Sequence, residues 1–594
     1  MRAKPLLALS TAIALSLPAL AQVAQPVPQT PAAEQPQPSE QPQAESEAQD
    51  QGRRSSPARR PPAASSEAEI GVAELDLLQL APPPPVEIPD QARRDPFVAG
   101  PLRPEALGLG NAPWGASSGA FLSALLRRTD APLASRWAHM ALRNALLAGA
   151  RAPRNVNPVD WTAERAWLLL RMGEADGARM LVAGVDVDKF TPKMFQVAVQ
   201  AALASADPPA LCPLEGGIRE HEPRVAPLID AMCASLSGEP ESAAAQIDNA
   251  RRRGRIGGID LVLAQKVVGA GSDTGRAVTV EWEPVQSLSS WRFGLAAATG
   301  MTPPERLMRA ASPQVRAWQA RAPLLTPEQR LASARIATGL GVFSSQALVD
   351  LYSSIYDSTE PDDLPGTDAW QLRLAFVGRT PEARLAAMRR LWDIGDGPLE
   401  LEASRALVAR AAARIAPDAE LERDAPNLIA SMLAAGLDRE AARWSGAVRG
   451  MDESPADRSW AMLALAAPET RGLDLSVGRI TSFIGRDNSP GKRRSALLVA
   501  GLTGLGRLDL GAADRLNSRH NLRIGRKTRW TRLIDQAAAL RQPGTVLVLT
   551  GVGFQTSRFD RLPPSHMFHA VAALRRTGQD FTARMIAAEA LART

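Results

Sequence analysis

Cysteine is nearly absent from this chain of 594 residues: only Cys212 and Cys233 occur, which excludes a multi-disulfide framework. His221 lies between them, but three ligands at loose spacing without a fourth do not make a zinc site, and no metal is expected. Lysine is scarce too, confined to positions 4, 189, 193, 266, 492 and 527, so the basic residues are otherwise arginine. Spread along an alanine-rich chain whose net charge is only +6, this bias is nearly uninformative as to partner, and nucleic acid, which wants a basic stripe with base-stacking aromatics in a compartment that holds it, is not expected. After the first 21 residues no run of about 18 apolar residues occurs, because Arg, Asp or Glu recurs every few positions, and this excludes a membrane-spanning helix. A Gly-rich phosphate loop, a Gly-x-Ser-x-Gly elbow and a metalloprotease pair of histidines are all missing, so no cofactor is expected.

What is present begins with residues 1–21. Arg2 and Lys4 precede the apolar run Leu6 to Leu17, followed by Pro18 and the small-residue site Ala19-Leu20-Ala21. This is the pattern of a secretory signal peptide, cut before Gln22, and it places the mature chain in the periplasm or outside the cell. In that compartment Cys212 and Cys233 are expected to pair. The bridge would staple a Pro-rich turn to the helical pattern Val225 to Leu236.

Residues 22–114 read as a disordered Pro/Gln/Ala-rich arm, too poor in apolar side chains to offset the entropy of ordering. One apolar island interrupts it at 70–80: Ile70, Val72, Leu75, Leu77, Leu78 and Leu80, just before four consecutive prolines. Two readings stay open for the island, a linear motif that docks on a partner and a segment that packs back on its own body.

From Gly115 to Thr594 short Ala- and Leu-rich windows carry apolar residues three and four apart, separated by Gly and Pro. They predict an all-α body of at least twenty helices. Two β-branched runs, Ala277 to Trp282 and Thr545 to Val552, are the best strand candidates, and the second fits a buried helix equally well. The acidic turn Asp357 to Asp368 divides the body into candidate lobes at 115–356 and 369–594, or joins them in one continuous stack. A pattern of Gly, four residues, then Ala recurs at Gly173/Ala178, Gly378/Ala383, Gly436/Ala441 and Gly578/Ala583, and more loosely at Gly238/Ala243. Its physical content is a left-handed glycine cap, a polar turn, and a small residue that lets the next helix approach. In these turn and small-residue positions the chain resembles exported tetratricopeptide-like helical-repeat proteins. The resemblance implies an α-solenoid and assigns no functional residue.

Three constellations are candidates for chemistry. Glu453-Ser454 matches the dipeptide that a peptidoglycan-cleaving lyase uses, but Met451 to Pro455 reads as a turn with Ser454 as N-cap and Pro455 at the first helical position. His566 and His569 are three apart at a helix start, the wrong spacing for a two-histidine metal motif. The third is basic: Arg515, Arg519, Arg523, Arg526, Lys527, Arg529 and Arg532 contain no acidic residue among them, with Trp530 interleaved and Asn517, Asn521 and Gly525 breaking any single helix. Such a patch suits an anionic partner. The expectation is a non-enzymatic exported scaffold or adaptor for an envelope protein or anionic envelope polymer. A peptidoglycan-active hydrolase or lyase on a helical body is the alternative.

Overall fold

The computed structural model describes residues 89–594 except 254–255, 273–278 and 396. The signal segment, the arm as far as residue 88 and the apolar island at 70–80 lie outside the described residues. Pro89 to Arg93 belong to a separate small unit and form one 3-10 turn, Asp90–Ala92. Everything from Arg94 onward belongs to the larger unit.

The described residues form 27 α-helices and nine 3-10 turns, with a single isolated bridge, Leu102 to Ala148, in place of any strand. Much of the proline is used as punctuation. Asn157-Pro158, Thr191-Pro192, Ser312-Pro313, Thr326-Pro327 and Thr380-Pro381 each set a capping side chain before a proline at the first helical position. The cap oxygen accepts an otherwise orphaned backbone N–H, and proline has no N–H there to lose. The β-branched run Thr545 to Val552 lies inside the helix Pro543–Gly553. That helix is buried from Pro543 to Gly551, which explains why its sequence shows no polar face. A Cβ at Gly551 would sit 2.6 Å from a methyl of Leu142, so a side chain there would have to displace that methyl.

Order begins earlier than composition predicts. The stretch from Asp95 to Trp114, which its polarity assigns to the arm, is a packed part of the larger unit. Ala99, Leu109 and Trp114 are buried, and Trp114 meets Trp161 edge to face at 5.2 Å. Buried Arg165 ties this stretch down by donating to the carbonyls of Ala99 (2.6 Å), Ala148 (3.0 Å) and Leu146 (3.1 Å). A few apolar anchors and one multidentate arginine outweigh the local composition.

Consecutive helices pair as hairpins, among them Pro158–Met172 with Ala175–Ala183, Ala226–Leu236 with Pro240–Arg253, and Pro564–Arg576 with Asp580–Ala592. The Gly/Ala pattern marks four of these turns correctly: Gly173, Gly238, Gly436 and Gly578 all have positive φ, and Ala178, Ala243, Ala441 and Ala583 are fully buried. Gly378 is the exception. Its φ is −51°, Ala383 is exposed, and the next helix is started by the Thr380 cap instead.

Distant helices also meet, which departs from the neighbour-only contacts of a solenoid. Arg136–Leu147 packs on Pro543–Gly553 and Asp580–Ala592, and Pro327–Leu340 packs on Pro398–Ala412 across the acidic turn at 357–368. Helix Arg136–Leu147 is the hub, and its charged residues are buried. The Glu589 carboxylate accepts from Ser135 Oγ (2.5 Å), Arg136 N (2.8 Å) and Arg593 Nη1 (2.6 Å). The Arg136 guanidinium donates to Thr338 O (2.8 Å) and to Ala434 O. Further along the same helix, His139 Nε2 lies 3.0 Å from Glu174 Oε1, and Arg143 Nη1 lies 3.6 Å from the same oxygen. Burial, with Arg143 and Arg136 adding to it, pushes the His139 pKa from 6.5 down to about 3, so the folded ring is neutral.

Two outcomes follow from this centre. Arg593→Ala leaves the buried Glu589 without its paired cation and should cost about 3–5 kcal/mol in urea unfolding, whereas Arg309→Ala at an exposed pair should cost at most about 1 kcal/mol. Because the His139 pKa is depressed in the fold, its contribution is complete above the unfolded value of 6.5 and is lost as pH falls toward 3. Between about pH 7 and about pH 5 the native chain should therefore lose about 2 kcal/mol more than His139→Gln, read from paired urea titrations.

Candidate functional site

The basic segment is held by three alternating anchors. Helix Leu510–His520 is capped by Asp509, whose side chain accepts from Ala512 N at 2.9 Å, and it ends at Asn521 in the left-handed region. The chain then turns back so that Leu522 and Ile524 are buried. Asn517 fixes that turn by accepting Leu522 N on its carbonyl (3.2 Å) and Ile524 N on Oδ1 (3.1 Å). The second helix, Arg529–Ala539, opens with Thr528 and Thr531 capping each other reciprocally. Trp530 is half-buried: its Nε1 donates to Leu549 O at 2.7 Å and its ring stacks on His566 at 4.2 Å. One aromatic face is thus covered, and Trp530 serves as an anchor of the second helix.

With the apolar residues turned inward, Arg515, Arg519, Arg523, Arg526, Lys527, Arg529 and Arg532 are all exposed. Among the described residues none of the seven has an acidic partner at ion-pair distance. Many other arginines of this chain are paired, as Arg389 is with Asp424 and Arg486 with Asp457. The nearest acids are otherwise engaged or peripheral: Asp535 binds His569 Nδ1 at 2.9 Å, and Asp514 precedes the segment. His520 sits beside the patch with its pKa lowered by burial and by the charges of Arg519 and Lys492. Lys492, from a different part of the sequence, therefore adds to the same positive surface.

Cys212 lies on the 3-10 turn Pro208–Leu214 and Cys233 on the helix Ala226–Leu236, with their sulfurs 2.07 Å apart and Cα atoms 5.5 Å apart. Glu215 comes close to both sulfurs, but His221 packs on Phe195 at 5.5 Å. Glu453 is exposed, at 77% of its side-chain surface, and lies 3.5 Å from Arg486. It is the first residue of the helix Glu453–Ala466, so the cap is Asp452 and not Ser454; the boundary falls two residues earlier than the Ser-Pro signal suggests. His566 and His569 share a helix but not a ligand position, since His566 Nδ1 is bound to Gly553 O at 2.9 Å and His569 to Asp535. Among the described residues no helix is long and apolar enough to cross a membrane. Comparison with protein-family models, curated proteins and solved structures finds no match to this chain.

The buried ionic centre escapes a linear reading. Its one sequence signal is the run Arg136, His139, Arg143, three and four apart on a helix otherwise rich in Ala and Leu, which marks a charged stripe facing inward. For the cysteines, mass spectrometry of the unreduced protein should show the Cys212–Cys233 link, and two free thiols would contradict it. Opening the bridge with Cys212→Ser should cost about 3 kcal/mol of stability.

Proposed function

We propose that this chain is an exported, non-catalytic helical scaffold that binds an anionic polymer of the cell envelope through the surface of Arg515, Arg519, Arg523, Arg526, Lys527, Arg529 and Arg532. The observation that carries the reading is seven exposed cations without acidic partners, held on two capped helices and a turn pinned by Leu522 and Ile524. Arginine suits this task because its planar fork pairs with carboxylate or phosphate through two hydrogen bonds. A rigid array loses little conformational freedom on binding, and its field steers a polyanion toward it. The signal-peptide pattern and the cysteine pair support an exported location. The exposed, arginine-paired Glu453 gives no support to the lyase alternative, since a general acid needs a setting that keeps its proton.

Co-sedimentation of the mature chain with peptidoglycan sacculi tests the proposal. Binding should weaken as salt rises, because screening shortens the reach of exposed charges. Arg523→Glu with Arg526→Glu should lower the bound fraction about tenfold at an unchanged melting temperature. Unchanged binding removes the assignment, and release of soluble fragments that is lost in Glu453→Gln overturns it in favour of catalysis.

A further inference from the structure

A second recess, remote in sequence from the basic surface, has a different chemistry. Helix Pro192–Ala204 forms its floor, presenting Gln196, Val199, Gln200 and Leu203 along one face at spacings of three and four. Trp167, from the helix Pro158–Met172, and Trp291, from the helix Ser290–Ala297, are part of its walls. The cleft has a volume of about 730 Å³, inside the range of about 300–1,000 Å³ typical of small-ligand sites.

Its polar groups are partly committed, and the pattern of commitment leaves specific valences open. Ser290 Oγ donates to Gln200 Oε1 at 2.5 Å, which engages that amide oxygen and, among the described residues, leaves its NH₂ without a hydrogen-bond partner. Trp291 Nε1 donates to Asp260 O at 3.0 Å, and Arg292 grips the Asp260 carboxylate at 2.8 and 2.9 Å. The Trp291 ring is therefore held by its polar edge and by partial packing on the core, while the rest of the half-buried ring lines the cleft. Gln196 is exposed, and among the described residues its amide has no hydrogen-bond partner. At the rim Glu222 and Arg224 contribute one charge of each sign, so the cleft favours neither a polyanion nor a polycation.

We infer that this cleft binds a neutral glycan segment. Indole faces accept the C–H faces of pyranose rings, and planar amides satisfy ring hydroxyls and acetamido groups in pairs; both kinds of group line this one recess. The mixed floor, aliphatic at Val199 and Leu203 and amide at Gln196 and Gln200, matches the alternating C–H and O–H surface of a sugar chain better than it matches an apolar side chain. The inference stands apart from the basic surface and uses none of its residues.

Calorimetric titration of the full chain with chitotriose and with cellotriose tests it. Saturable binding of at least one trisaccharide is expected, with a dissociation constant of about 1 mM or below. Gln196→Ala should weaken it about fivefold and Trp291→Ala about tenfold, while Trp291→Phe restores part of the loss. Arg523→Glu with Arg526→Glu should leave it unchanged, so this site and the basic surface fail or succeed separately. If Trp291→Ala does not fold, Gln196→Ala, at an exposed position, still decides. No saturable binding of either sugar at about 10 mM, affinity untouched by Gln196→Ala and Trp291→Phe, or equal binding of an alanine tripeptide overturns the inference.

Discussion

The carboxylate of Glu589, buried against Ser135, Arg136 and Arg593, is the constraint on which the larger unit depends. A carboxylate taken out of water must be surrounded by donors, and these donors come from both ends of the described chain. Arg136 passes the constraint on, because its own guanidinium is satisfied only by carbonyls at the C-terminal ends of two further helices, Pro327–Leu340 and Ala425–Ala434. Cations at helix C-termini are favourably placed against the unpaired carbonyls there. Four helices are thereby fixed by one network, and a hydrophobic contact of equal area would not set their relative register so narrowly.

Much of the helical architecture is legible in the sequence, and the reasons are local. Ser, Thr or Asn before Pro starts helices, Gly ends them, and both act through backbone groups a few residues away. The Gly/Ala pattern works at Gly173, Gly238, Gly436 and Gly578 because there the glycine supplies a left-handed turn and the alanine a close approach. At Gly378 the same letters occur without the conformation, since Thr380 already does the capping. The ordered body begins before the compositional end of the arm for a complementary reason. Order at Ala99 and Trp114 depends on Arg165 and Trp161, which lie far along the chain, and composition within a window carries no record of them.

The sites divide in the same way. The basic surface is legible because its cations are contiguous, and burial of Leu522 and Ile524 is what turns a charged stretch into a face. The cleft is not legible, because Trp167 and Trp291 come from separate helices and only Gln196 and Gln200 stand in a visible periodic relation. His566, His569 and Glu453 are candidates by sequence, and the fold commits them to Gly553 O, Asp535 and Arg486.

The hydrogen bond from Arg136 N to the Glu589 carboxylate spans 453 residues of sequence. A ribosome delivers the first long before the second, so a nascent chain carries the start of the hub helix, Ser135 and the N–H groups of Arg136 and Trp137, before the carboxylate that accepts from them exists. Helix Asp580–Ala592 therefore locks this network only once it is made, through contacts of long sequence separation. Any polypeptide that ends before residue 589 lacks the lock altogether.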